Sequence, residues 1–84
     1  MNTREEVNKI LKLLSGKESI DENDNLQEDV ALDSLGMVTL LVAIEERFDV
    51  KLDESDMNPF DLTTVGDVIR LVEKYVGNDD EAQN

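Results

Sequence analysis

Apolar residues recur along this chain at helical spacing and nowhere alternate long enough to make a strand. Val7, Ile10, Leu11 and Leu14 fall at i, i+3, i+4 and i+7 and predict an amphipathic helix. Thr3, with Glu6 three residues later, has the form of a capping box at its start, and Ser15-Gly16 ends it. Residues 16–32 are polar and acidic. Only Ile20, Leu26, Val30, Ala31 and Leu32 are available to pin this long loop to a core, which predicts an ordered but irregular segment. A second helix is expected from Asp33, whose carboxylate can accept from the free amides of a first turn. Met37, Leu40, Leu41, Ile44 and Phe48 then keep the helical period. Leu35, Val38, Val42 and Ala43 widen the stripe, so this helix is expected to be touched on several sides.

After Val50 and Leu52 comes "DESDMNPFD", in which Pro59 disfavours helix at Asn58 and limits what precedes it to about a turn. A short, irregular third helix is expected there. Thr63 or Thr64 caps a last helix carrying Val65, Val68, Ile69, Val72 and Tyr75, which Gly77 closes. The pattern predicts an all-α fold: a small four-helix bundle with three longer helices, one short third helix and a long first loop. Residues 1–77 form the domain, and the tail 78–84, "NDDEAQN", is expected to be disordered.

Composition narrows the chemistry. A chain of 84 residues, 39% hydrophobic, buries one modest core. It has no Cys and no His, which excludes disulfides, thiolate zinc sites and any nucleophile activated by a histidine base; its own side chains make a poor enzyme. No apolar run approaches the roughly 18 residues of a membrane span, and "MNTREEVNK" lacks a secretory signal's basic start and apolar block. A cytoplasmic protein with no membrane association is expected. The 21 acids against 8 bases give a net charge of −13, which repels nucleic acid and anionic lipid and favours basic partners. Four of the bases lie in the first 17 residues, whereas residues 18–46 carry nine acids and no base. A solvated surface that keeps the domain soluble is the simpler reading of that acidity.

Asp21, Asn23 and Asn25 occupy the first, third and fifth positions of a helix-loop-helix calcium loop. The sixth position, which needs Gly, is Leu26, and the twelfth, which needs a bidentate Glu, is Leu32; both geometry and ligand are lost, and no metal site is assigned.

Ser34 follows the Asp33 cap and, by position alone, is an ordinary first-turn polar residue. The stretch "LDSLGMVTLLVAIEERFDVKL", residues 32–52, resembles the attachment-site region of acyl carrier proteins. Asp33, Ser34 and Leu35 match that family's Asp-Ser-Leu, and Val38, Leu41, Ile44, Glu45, Glu46, Phe48 and Asp49 match the helix that follows it. "TTVGDVIRLVEKYV", residues 63–76, is similar to the family's last helix. The resemblance implies that a phosphopantetheinyl transferase moves the 4'-phosphopantetheine of coenzyme A onto Ser34, flanked by Asp33 and Leu35. The thiol so supplied holds acyl groups as thioesters. A chain without Cys has to import that thiol, and a serine without a nearby base has to be activated by the transferase. The resemblance also implies a docking helix, with Gly36, Met37, Glu45, Glu46 and Asp49 facing basic patches on acyl-transferring and condensing enzymes. It implies acyl-chain contact at Val38, Leu41 and Ile44, although core packing is the simpler reading of these and of Met37. A carrier of this kind is a monomer and not an enzyme.

Two positions depart from the family's pattern. Carriers of primary fatty-acid synthesis usually have an acid directly after the Asp-Ser-Leu and another three residues later, where this chain has Gly36 and Thr39. Gly36 also weakens the first helical turn by up to about 1 kcal/mol relative to Ala, a cost usually accepted for a close approach. Carriage in fatty acid, polyketide or related lipid biosynthesis stands beside an aminoacyl or peptidyl carrier of the D-alanyl type. An acidic adaptor with no prosthetic group is the reading from a different class.

Overall fold

The computed structural model describes residues 2–77, and the expected disordered tail lies outside them. Three α-helices carry the fold: α1, Thr3–Ser15; α2, Ser34–Phe48; and α3, Val65–Val76. Asn2, rather than Thr3, caps α1, its side chain accepting from the Glu5 amide at 3.2 Å. The expected Thr3–Glu6 box gives way to this Asn2 cap, and the Glu6 carboxylate turns to Arg47 near the end of α2. Contact between the start of α1 and the end of α2 makes the two helices antiparallel. Gly16 closes α1 in the left-handed region at φ 77°, which glycine adopts without a Cβ clash, and its amide reaches the Lys12 carbonyl at 2.8 Å.

The core forms where α1 packs against both α2 and α3. Val7, Ile10 and Leu11 meet Met37, Leu40, Leu41 and Ile44 of α2 and Val65, Val68, Ile69 and Val72 of α3. The long loop supplies Leu26, Val30 and Leu32 to the same core, with Ile20 half-buried. Backbone bonds fix it to the start of α3: Leu26 donates to Thr63 at 2.9 Å, Val65 to Asp24 at 3.0 Å and Gly66 to Glu22 at 2.8 Å. A Cβ on Gly66 would lie 3.1 Å from Glu22 Cγ, so the missing side chain permits this approach. Ala31 corrects the expected set of loop anchors, for it is exposed and sits at φ 64°. It turns the chain rather than packing.

The short third helix is two single 3₁₀ turns, Glu54–Asp56 and Pro59–Asp61. Met57 and Asn58 separate them, Asn58 held out of helix by the proline after it. The first turn is fastened to the last turn of α3. The Tyr75 hydroxyl accepts from the Asp53 amide at 2.8 Å and donates to Asp56, and Lys74 bonds the same carboxylate at 3.0 and 3.2 Å. This pairing holds the Asp56 carboxyl below, and the Tyr75 hydroxyl above, their ordinary ranges. The second turn packs on α2. Among the described residues there is no strand, only an isolated bridge between Asn25 and Thr64. Of the two candidate caps for the last helix, Thr64 serves, in a reciprocal capping box with Asp67. Amides of Thr63 and Thr64, bonded to the Asp67 carboxylate, hold that carboxyl below its usual range.

Candidate functional site

The long loop delivers the chain to α2 in three steps. The Leu32 side chain is buried while its amide bonds the Leu26 carbonyl at 2.9 Å, which anchors the approach. Asp33 is extended, at φ −88° and ψ −173°, and its Oδ1 accepts from the Gly36 amide at 2.7 Å. The Asp33 carbonyl takes the first helical bond, from Met37 at 2.9 Å. Ser34 is then the first helical residue. It is exposed, and no hydrogen bond among the described residues engages its hydroxyl. Capping and presentation therefore fall to different residues: Asp33 caps the start of the helix, and Ser34 offers an unencumbered oxygen to solvent.

The chain has no His, and the carboxylate next to Ser34 in sequence, that of Asp33, holds the helix cap through Oδ1. The hydroxyl is suited to receive a group, not to attack unaided. An anionic group joined to it would stand at the positive end of the α2 dipole, beside a first turn that carries no acid of its own. A phosphodiester fits that position. Gly36 has a structural reason: a Cβ there would lie 3.2 Å from Asp33 Oδ1 and 3.3 Å from Leu32 Cδ2. The close approach is made by the chain's own cap and anchor.

The other sequence-derived residues separate into two faces of α2. Leu41 and Ile44 are buried in the core, as is Met37, which is 1% exposed. Its side chain lies in the core, the simpler of the two readings that the sequence offered for it. Val38 does not join the core. It is 46% exposed, between Leu35 at 74% and Val42 at 43%, on one outward stripe at i, i+3 and i+7. The expectation that α2 is covered on several sides fails for this stripe, which no segment among the described residues overlays. Glu46 and Asp49 are exposed, Asp49 in the left-handed region at φ 54° as the helix C-cap. Glu45 is half-buried and has a structural task, since its carboxylate accepts from the Leu52 amide at 2.8 Å and holds the chain leaving the helix.

Sequence reasoning missed the Glu6–Arg47 pair, whose members lie 41 residues apart. The Arg47 guanidinium holds the Glu6 carboxyl below its usual range, with Lys9 adding a weaker pull from 3.5 Å. It also gave no role to Phe60, which is 74% exposed. Among the described residues no cluster of three or more acidic side chains is placed to hold a metal ion, and no helix is long and apolar enough to cross a membrane.

Comparison with known proteins gives this geometry its context. The family model described as "Phosphopantetheine attachment site" matches residues 4–72. An acyl carrier protein of Thermotoga maritima is 35% identical over 83 residues, covering 92% of this chain and all of the relative. One from Chlamydia felis is 38% identical over 58 residues, 69% of this chain and 72% of that one. Among solved structures, one described as a candidate acyl carrier protein from Mycobacterium tuberculosis superposes with a TM-score of 0.77 at 27% identity. That match spans 86% of this chain and 96% of the other. With a family model spanning most of the helical domain and a relative matched along its whole length, the chain belongs to the acyl carrier protein family, whose prosthetic group is 4'-phosphopantetheine.

Proposed function

We propose that Ser34 is the attachment point of phosphopantetheine, and that the chain carries acyl groups between enzymes of fatty acid, polyketide or related lipid biosynthesis. The observation that carries this reading is the free, exposed hydroxyl of Ser34 at the first position of α2, within an Asp-Ser-Leu and inside the matched span. The group supplies a thiol on which an acyl chain is held as a thioester. The chain's own residues do the rest. Asp33 fixes the helix start so that the Ser34 oxygen faces outward, and the α2 dipole favours the phosphodiester charge. Leu35 stands exposed beside it as an apolar contact for the incoming transferase. Glu46 and Asp49 offer charge to basic patches on partner enzymes, which speeds encounter more than it strengthens binding. Leu41 and Ile44 line the core against which an acyl chain would pack.

The lack of acids at Gly36 and Thr39 supports a specialised pathway in place of routine fatty-acid synthesis. Intact mass after incubation with coenzyme A and a broad-specificity phosphopantetheinyl transferase tests the attachment. The wild-type chain gains the mass of one phosphopantetheine and Ser34→Ala gains none. An unchanged wild-type mass, or a gain that survives Ser34→Ala, overturns the reading.

A further inference from the structure

Charge is divided unevenly over this fold. Residues 1–17 hold four bases against two acids, whereas residues 18–84 hold four bases against nineteen acids. The stretch from Val7 to Lys17 carries Lys9, Lys12 and Lys17 and no acid at all. Of the two acids that precede it, Glu6 is turned inward to Arg47, which leaves Glu5 alone on the outer side of α1. A surface of positive sign is thereby set on a molecule whose net charge is −13.

That outer side, turned away from α2 and α3, has an apolar centre. Val7, Ile10 and Leu11 are spent on the core, but Leu13 points the other way and is 85% exposed. Lys9 stands one turn before Leu13 on the same strip of helix, and Lys12 one turn on from Lys9. Their charges are largely uncommitted. Lys12 makes no ion pair or hydrogen bond among the described residues, and Lys9 has only its pairing with Glu6 at 3.5 Å. Asn8, one turn before Lys12, has a side-chain oxygen that is shielded from solvent and lacks a hydrogen-bond partner. An acceptor left in that state is satisfied when a donor covers it. Glu5, Asn8, Lys9 and Lys12 together line a shallow hollow on this side.

We propose that the outer side of α1 is a second docking surface, for a protein whose contact patch is acidic around an apolar centre. The inference does not depend on attachment at Ser34. Charge complementarity selects this partner, because Lys9 and Lys12 repel the basic patches expected to meet Glu46 and Asp49 on α2. An anionic membrane has the right sign, but an extended anionic plane also meets the surrounding net charge of −13. A protein patch of limited size senses only the local lysines, since salt screens charges more than about 8 Å away. Because α1 packs on α2 through its opposite side, a protein held here leaves Ser34 and the exposed residues of α2 uncovered. One partner can thus retain the chain while others visit α2.

NMR titration of the full chain with a synthetic helical peptide, rich in glutamate around a leucine strip, tests this. The backbone amides from Asn8 to Leu14 and the Asn8 side-chain amide are expected to shift. Lys12→Glu and Leu13→Ser, both at exposed positions, are expected to abolish the shifts, as is high salt, whereas Glu46→Gln is expected to leave them unchanged. Thermal melts of the variants that match wild type separate lost docking from a lost fold. Modification of Ser34 by the transferase is expected to be unaltered in Lys12→Glu, since α1 stands apart from that site. An absence of shifts, shifts centred on α2, or shifts that persist in Lys12→Glu overturn the proposal. Two further outcomes also overturn it by assigning the face to another occupant. One is tighter, Lys12-dependent binding to phosphatidylglycerol vesicles, and the other is a Lys12-dependent dimer in sedimentation equilibrium.

Discussion

Arg47 near the end of α2 donates to Glu6 in the first turns of α1, and that one ion pair ties the two ends of the antiparallel helices together. Because the guanidinium holds the Glu6 carboxyl below its ordinary value, the folded state binds this proton less readily than the unfolded chain does. The pair's contribution is therefore complete above the ordinary glutamate range and is lost as pH falls through the lowered folded value. Arg47→Ala is expected to lower the Tm at neutral pH and to reduce the loss of stability on acidification, both measured by thermal melts across pH. A wild-type pH profile retained in the variant counts against this role.

Ala31 occupies the left-handed region at φ 64°, where a Cβ costs roughly 1–2 kcal/mol. Glycine removes that strain but adds unfolded-state freedom worth roughly 0.5–1 kcal/mol. Ala31→Gly is expected to stabilise the protein by up to about 1 kcal/mol in denaturant unfolding. Ala31→Val, with a branched Cβ at the same φ, is expected to destabilise it.

Leu26 lies in the loop yet is wholly buried, whereas Leu13 lies in a helix and is 85% exposed. Leu26→Ala is expected to cost about 2–4 kcal/mol, as a helical core leucine would, and Leu13→Ala to stay within about 0.5 kcal/mol of wild type. Equal effects in the two variants would mean that the loop is not part of the core.

The net charge of −13 opposes compaction by self-repulsion. Added magnesium or monovalent salt is expected to raise the Tm, magnesium at the lower concentration, and a melt insensitive to both would rule out repulsion as a destabilising force.

Helix positions were legible in the sequence because periodicity reports burial. Met37, Leu40, Leu41 and Ile44 lie at helical spacing and are buried together. Asp33 was legible as a cap because capping is a local interaction. Periodicity alone could not say which of two apolar stripes on α2 faces inward. The Leu35, Val38 and Val42 stripe stays outside because α1 packs on the side that carries Met37, Leu40, Leu41 and Ile44, a tertiary fact with no local signature. Thr3 was misread as a cap for the same reason. Asn2 satisfies the amides of the first turn, and the Glu6 that would complete the box is drawn away by an arginine distant in sequence. The reason for Gly36 became visible only with Leu32 and Asp33 in place around it.

The division between Asp33 and Ser34 separates the stability of this protein from its chemical state. The cap bond belongs to Asp33, and the Ser34 hydroxyl contributes nothing to holding the helix. Under the proposed attachment, modification costs the fold no cap bond, and any change in stability on modification comes from the phosphodiester charge added at the helix start.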